Sequence, residues 1–492
     1  MAKYTDIHYS RVKSLYTGDN HSVINGLITN NPSKKIIIDQ DVTVDKPFIM
    51  PSNVCLRVDG ALRLSDGVVR PLTQDAAIGQ NRVYVNNSDG AYKVGQILSV
   101  SASNYPTGGG GSVARKMSQS GKVTVATSTY VEFEFNLRAN LSGVAVGNLL
   151  VSNGATIGHS QTLIYCRDVN NIKISGTGVI DCKYPTMHNF ASCAMGGNSS
   201  SVAGYEDSLG GNAIVFWGCD NVSVKGDSNE SKLLIQETNI GAVLWVDVNL
   251  YEYSNIESRN IYMKHWAGAL GVNYGKSENL FFNLSYNEDG LGLHDEVYNS
   301  SFKNIHIFSC PRIGFAVGGG SHDNTFEDIS IDLCNLNIYT YPSNGSPDVY
   351  NNSFKNITIN RPISGILIAK VLNSTFENVV ITNGRAGNHC ITIGGGCDGI
   401  TFNGGGCYDT NLISSNSGWG FRSVAKESYM VESQNVTFND FEFKRLNRGI
   451  VDLGSFPVTF NNCVLDDNDL NGDLTSPDFT LVGCTVDGLP YP

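Results

Sequence analysis

The densest run of ionisable side chains is Tyr286-Asn287-Glu288-Asp289-Gly290-Leu291-Gly292-Leu293-His294-Asp295-Glu296, where carboxylates flank an alternating apolar stretch. Acid/base hydrolysis needs one carboxyl group that keeps its proton for the leaving oxygen and a second, ionised, that activates water. Asp289 is the first candidate for such a pair, with Glu237 or Glu288 as its partner and Asp247, Asp295 and Glu296 as further carboxylates nearby. An arginine at 312 set beside Glu288 would hold that carboxylate ionised, which suits a base and not an acid. No His, Cys or Asp spacing matches a zinc site, and residues 288–296 lack a calcium-loop pattern, so no metal or cofactor is expected.

These residues need a scaffold, and the sequence supplies a repeat. Ser301-Phe302-Lys303-Asn304-Ile305-His306-Ile307 returns as Thr325-Phe326-Glu327-Asp328-Ile329, Ser353-Phe354-Lys355-Asn356-Ile357 and Thr375-Phe376-Glu377-Asn378-Val379, and looser copies start at Thr401, Thr437 and Thr459. The phenylalanines at 302, 326, 354, 376, 402, 438 and 460 fall 22 to 36 residues apart. A short unit at that period reads as a solenoid whose units bury their apolar faces against their neighbours. A second alternating run follows within each unit, as in Gly314-Phe315-Ala316-Val317 and Gly365-Ile366-Leu367-Ile368, with no helical period between. The expected fold is therefore all-β: a coil of stacked parallel strands, rich in the Gly, Asn and Asp that sharp corners require.

Stacking turns distance along the chain into proximity in space. Aligning Gly241, Gly268, Gly290 and Gly314 as strand openers puts Thr238, His265, Asn287 and Pro311 in one column, and Asn239, Trp266, Glu288 and Arg312 in the next. Asp247, Tyr274 and Glu296 form a column at the far end of the strand. Coils stack ~4.8 Å apart, so Glu237 and Asp289, two coils apart, would lie roughly 9–10 Å from each other, room for a water between them.

Along the chain, residues 1–25 are polar and read as an attachment segment, and residues 26–74 hold Lys35-Ile36-Ile37-Ile38, Val42-Thr43-Val44 and Cys55-Leu56-Arg57-Val58 as a first coil. Residues 75–160 break the repeat; their alternating Val131-Glu132-Phe133-Glu134-Phe135 points to a small antiparallel β insertion with a Gly108–Gly111 loop. Residues 161–492 form the main coil. A net charge of −12 argues against a nucleic-acid partner, and no apolar run is long enough to span a bilayer. The 12 cysteines include no CxxC pair and fall singly in or beside strands, which predicts buried free thiols.

The segment Asn171-Ile172-Lys173-Ile174-Ser175-Gly176-Thr177-Gly178-Val179-Ile180-Asp181 resembles the N-I-x-I-x-G-x-G-x-I-D stretch of the pectin-lyase-like right-handed parallel β-helix superfamily, which includes polygalacturonases and bacteriophage tailspike depolymerases. Asn287-Glu288-Asp289-Gly290 resembles the Asn-x-Asp-Gly motif whose aspartate is a catalytic acid in the polygalacturonase-like glycosidases. The sequence departs from that family one coil on, where Pro311-Arg312-Ile313-Gly314 stands in place of an Asp-Asp pair, and no Gly-His-Gly follows. With its polar start and interposed insertion the chain most resembles a tailspike. That resemblance implies a homotrimer fixed to a phage tail, a baseplate or another tailspike through its N-terminus, made in the host cytoplasm and acting at the bacterial surface. It also implies endo-glycosidase action on a capsule or O-antigen. A lyase using His265, Tyr274 or Tyr286 as base, with Arg312 or Lys264 neutralising a uronate, and a non-catalytic fibre are the alternatives. Sugar rings pack on aromatic faces, so Trp245, Trp266, His265, Tyr274 and Arg312 are the expected substrate-binding groups.

Overall fold

A computed structural model of the chain describes residues 6–32, 34–101, 107–108, 115–116, 119–134, 136–137, 140–141, 144–145, 150–160, 162–183, 211–238, 241–261, 264–269, 271–285, 289–310, 313–339, 348–362, 364–383, 389–408, 419–424, 431–454 and 456–491. They form two compact units, Met1–Leu270 and Gly271–Pro492. Each is a right-handed parallel β-helix.

The building block is clearest in the strand Ser353–Asn360. Phe354, Ile357 and Ile359 are buried while Lys355 and Thr358 are exposed. Strict alternation would turn Ile357 outward with Lys355, because successive side chains of a strand face opposite ways. Asn356 resets the count. It sits at φ 54°, in the left-handed region, so the chain bends and the next residue points inward again. Asn304, Asp328 and Asn378 hold the same place at φ 52°, 57° and 52°, and their side chains bond along the stack. Asn356 Nδ2 donates to Asp328 Oδ1 at 2.9 Å, and Asn378 Nδ2 to Asn356 Oδ1 at 3.0 Å.

In-register pairing makes the core of the second unit an aromatic column. Phe302, Phe326, Phe354, Phe376, Phe402, Phe438 and Phe460 lie ring on ring with centroids 4.5 to 5.2 Å apart. Beside it runs a second face of short strands: Leu291–Asp295, Phe315–Val317, Leu336–Tyr339, Ile366–Ala369, His389–Ile393, Trp419–Ser423 and Arg448–Val451, each paired in parallel with the next. Asn403-Gly404-Gly405-Gly406 shows what happens without a polar rung. Gly404 takes the left-handed place, and Gly405 at φ 103° passes so near Val379 that a Cβ would stand 2.0 Å from its carbonyl oxygen.

The first unit has the same logic. Asn171 Nδ2 donates to Asn53 Oδ1 and Asn221 Nδ2 to Asn171 Oδ1, at 2.9 and 2.6 Å. From Asp6 on, the expected attachment segment packs onto the first coil. Asp6–His8 adds a parallel strand to Lys35–Ile38, and the helix Asn20–Asn30 crosses the expected boundary. Asp19 caps that helix by accepting from Ser22 N at 2.7 Å, and Val23, Ile24, Leu27 and Ile28 bury one face of it over the strands Val42–Val44 and Phe48–Ile49. The insertion is a six-stranded antiparallel sheet that begins at Val69 and ends at His159, with its own core around Val83, Val100, Phe133 and Ile157. Of the Gly108–Gly111 loop, Gly109 to Gly111 lie outside the described residues.

The 11 cysteines among the described residues are all free and buried. Several stack on adjacent coils: Cys310 N donates to Cys334 Sγ at 3.0 Å.

Phe354 has a ring above and a ring below, so Phe354→Ala should cost about 3–5 kcal/mol in urea unfolding. Lys355→Ala, which removes an exposed pair with Glu377, should leave the midpoint unchanged. Equal effects of the two changes would refute the column as the core.

Candidate functional site

The expected saccharide stripe in the first unit is core. Trp245 and Trp266 are 0% exposed. Trp245 lies flat on Phe216 with centroids 4.7 Å apart and is ringed by Tyr251, Tyr253 and Trp266 at 5.0, 5.9 and 6.5 Å. The glycine alignment was four residues out: Gly241 pairs with Lys264 and Trp266 with Val243, not Gly241 with Gly268. The other face of the same strands is closed as well, because Ile97 of the insertion packs with Tyr165, Val215, Trp217, Leu244, Val246 and Ala267. No tryptophan here can lie against a sugar.

His265 is also sealed in, with Nδ1 2.6 Å from Ser258 Oγ. Burial alone pushes its pKa down to about 3. Glu237 stacks at φ 59° on Asn260, whose Nδ2 donates to Glu237 Oε1 at 2.7 Å, so it fills a rung that asparagine fills elsewhere. Thr238 pairs with Ile261 and not with His265, so the column beside which Glu237 was expected does not form.

In the second unit the alignment of Gly290 with Gly314 holds: Leu291 pairs with Phe315, and Gly290 N donates to Ile313 O at 3.0 Å. Gly290 cannot be anything larger, since a Cβ would stand 2.6 Å from Ile307 Cγ2. Asp289, just before it, is 1% exposed. Its place in the register is the one that His389 and Trp419 occupy on later coils. Tyr274 is 59% exposed, but it aligns with the corner residues Asn299, Asp323 and Asn351 and not with Glu296. Glu288 and Arg312 lie outside the described residues, with Tyr286, Asn287 and Pro311.

The structure brings together a group that the sequence reading passed over. His389, Trp419 and Arg448 pair coil to coil, each half-buried. The His389 and Trp419 rings are 4.7 Å apart, and Arg448 and Arg422 hold their guanidinium carbons 5.4 and 6.0 Å from the Trp419 ring. Desolvation first, then the charge of Arg422, pushes His389 down to about 4, so it is neutral at pH 7. At the end of that strand Ser423 Oγ donates to Asp452 Oδ1 at 2.8 Å, and Asp478 holds its proton more tightly than an ordinary aspartate through desolvation and the charge of Asp452. A second, half-buried aromatic run stacks Tyr298, His322 and Tyr350 at 4.9 and 4.4 Å. The signal for Trp419 was the 36-residue gap between Phe402 and Phe438, long enough to hide a strand. Among the described residues no three His, Cys, Asp or Glu side chains are grouped to hold a metal ion.

No family model and no curated protein matches the chain. Among solved structures it is similar to a family 28 exopolygalacturonase of Yersinia enterocolitica (11% identity, TM-score 0.46, covering 100% of this chain and 79% of that one). It is also similar to the tailspike of Escherichia coli bacteriophage HK620 in complex with a pentasaccharide (10%, 0.44, 95% and 74%). A third similar structure is the Gp54 tailspike of Acinetobacter baumannii bacteriophage AP22 with capsular saccharide (10%, 0.36, 97% and 76%).

The depressed pKa of His265 predicts acid lability. The unfolded chain takes up this proton near pH 6.5 while the folded one refuses it until about 3, so the stability is whole above pH 6.5 and falls as pH drops toward 3. Thermal melts at pH 7 and pH 4 should show a large loss for the native chain and a smaller one for His265→Asn. Identical losses would rule out His265 as the cause.

Proposed function

We propose that this chain is the β-helical body of a phage tailspike that binds and cleaves a bacterial surface polysaccharide. The observation that carries the reading is the strand face of the second unit, where half-buried Trp419 stands among His389, Arg422 and Arg448. Aromatic rings accept the apolar faces of sugars, and flanking donors orient the hydroxyls. Asp289 shares that register column, four coils before His389. At ~4.8 Å per coil it lies about 19 Å along the face, a distance that an extended polymer spans and a monosaccharide does not.

In this reading Asp289 is the acid of an endo-hydrolysis, with Glu288 as the base. The protein works as a homotrimer on the virion tail, held to a tail, baseplate or neighbouring tailspike through its N-terminal part. The burial of Asp289 favours one second reading, a receptor-binding fibre that holds the polymer without cutting it.

Incubation with capsule or O-antigen from the host separates these readings. New reducing ends without unsaturation support hydrolysis; unsaturated, ultraviolet-absorbing products would mean a lyase; tight binding with neither would mean a fibre. Asp289→Asn should lower cleavage by at least about a hundredfold and leave binding intact. Full activity in that variant would remove Asp289 from the mechanism.

A further inference from the structure

We propose that the His389, Trp419, Arg422 and Arg448 group binds a carboxylate-bearing sugar, so that the polysaccharide this chain takes is acidic; the inference rests on the saccharide reading above. Trp419 stands between His389 on one neighbouring coil and Arg448 on the other, with Arg422 on its own strand. The two guanidinium groups approach one indole at 5.4 and 6.0 Å.

What sets these arginines apart is that they are half-buried without a partner, whereas the unpaired Arg11 and Arg445 are exposed to water. Arg57, Arg63, Arg82 and Arg361 each hold a carboxylate within 3.0 Å, as expected in a chain with 46 acidic and 34 basic residues. Among the described residues Arg422 and Arg448 form no ion pair and no hydrogen bond. Arg422 Nε is buried with no acceptor, and so is His389 Nδ1 on the adjoining coil. Burial strips water from the Arg422 guanidinium and pulls its pKa below the usual arginine value. A dehydrated cation without an acceptor is costly unless something brings one.

The geometry selects the acceptor. A guanidinium presents a planar fork that fits a carboxylate on two bonds, and the indole gives the attached ring an apolar surface to rest on. One carboxylate per sugar, carried on a flat C–H face, meets both demands. A dense polyanion such as nucleic acid would need a basic stripe, and a net charge of −12 opposes it.

The test is an array of bacterial capsular and O-antigen polysaccharides, neutral and acidic, followed by carboxyl reduction of the best binder. The best binders should all carry carboxylated sugars, and reduction should weaken binding by about tenfold or more. Arg422→Gln and Arg448→Gln, checked for unchanged melting, should lose a similar factor on the native polymer and be indifferent to its reduction. Trp419→Ala should weaken both forms. Neutral best binders, or reduction without effect, overturn the acidic-sugar inference and leave the saccharide reading standing. Absence of binding to every polysaccharide by the native chain overturns both.

Discussion

A β-strand shows every second side chain to the same side, so a coil that must bend while keeping apolar residues inside needs one residue per bend to break the count. Here that residue adopts the left-handed conformation, which strains most side chains and which asparagine and aspartate tolerate best. Repeating the asparagine at the same place also offsets the strain, because each amide can bond to its counterpart on the adjacent coil. Such a bond joins like to like. It therefore fixes register, and with register fixed the phenylalanines fall on one another without further instruction.

This explains which parts of the fold could be read from the residues. Phe followed two residues later by Asn, Asp or Gly recurs where a bend and a core position coincide, so Phe302 to Phe460 announced themselves, and the alternation in the insertion marked its strands. The strand Gly241–Ile261 carries no such marker. Leu250 takes a left-handed place at φ 56° that asparagine takes on neighbouring coils, and glycines chosen as markers led to a four-residue slip. Glycine marks a close approach, and a close approach can fall at either edge of a strand.

The site was less legible than the fold for a different reason. Whether a tryptophan on a coil is surface or core depends on what covers it. Ile97, which helps close one face of the first unit, is more than a hundred residues from Leu244 along the chain. Trp245 and Trp266 lie on the opposite face of those strands, turned into the coil against Phe216, Tyr251 and Tyr253, and which face turns inward depends on a register that the glycines mismarked. Conversely, Trp419 gains its meaning from Arg448 and His389 on adjacent coils, and Arg422 from the carboxylate that it lacks. Partners and missing partners are properties of the stack.

The buried thiols carry a consequence for handling and lifetime. While the coils stay closed, the sulfurs stand behind packed side chains, and burial keeps most of them protonated and unreactive. Once a coil opens in air, several sulfhydryls emerge together and can cross-link in pairings that no native coil contains. Aerobic denaturation is then a one-way passage, and the lifetime of the folded chain is governed by how rarely the first coil parts.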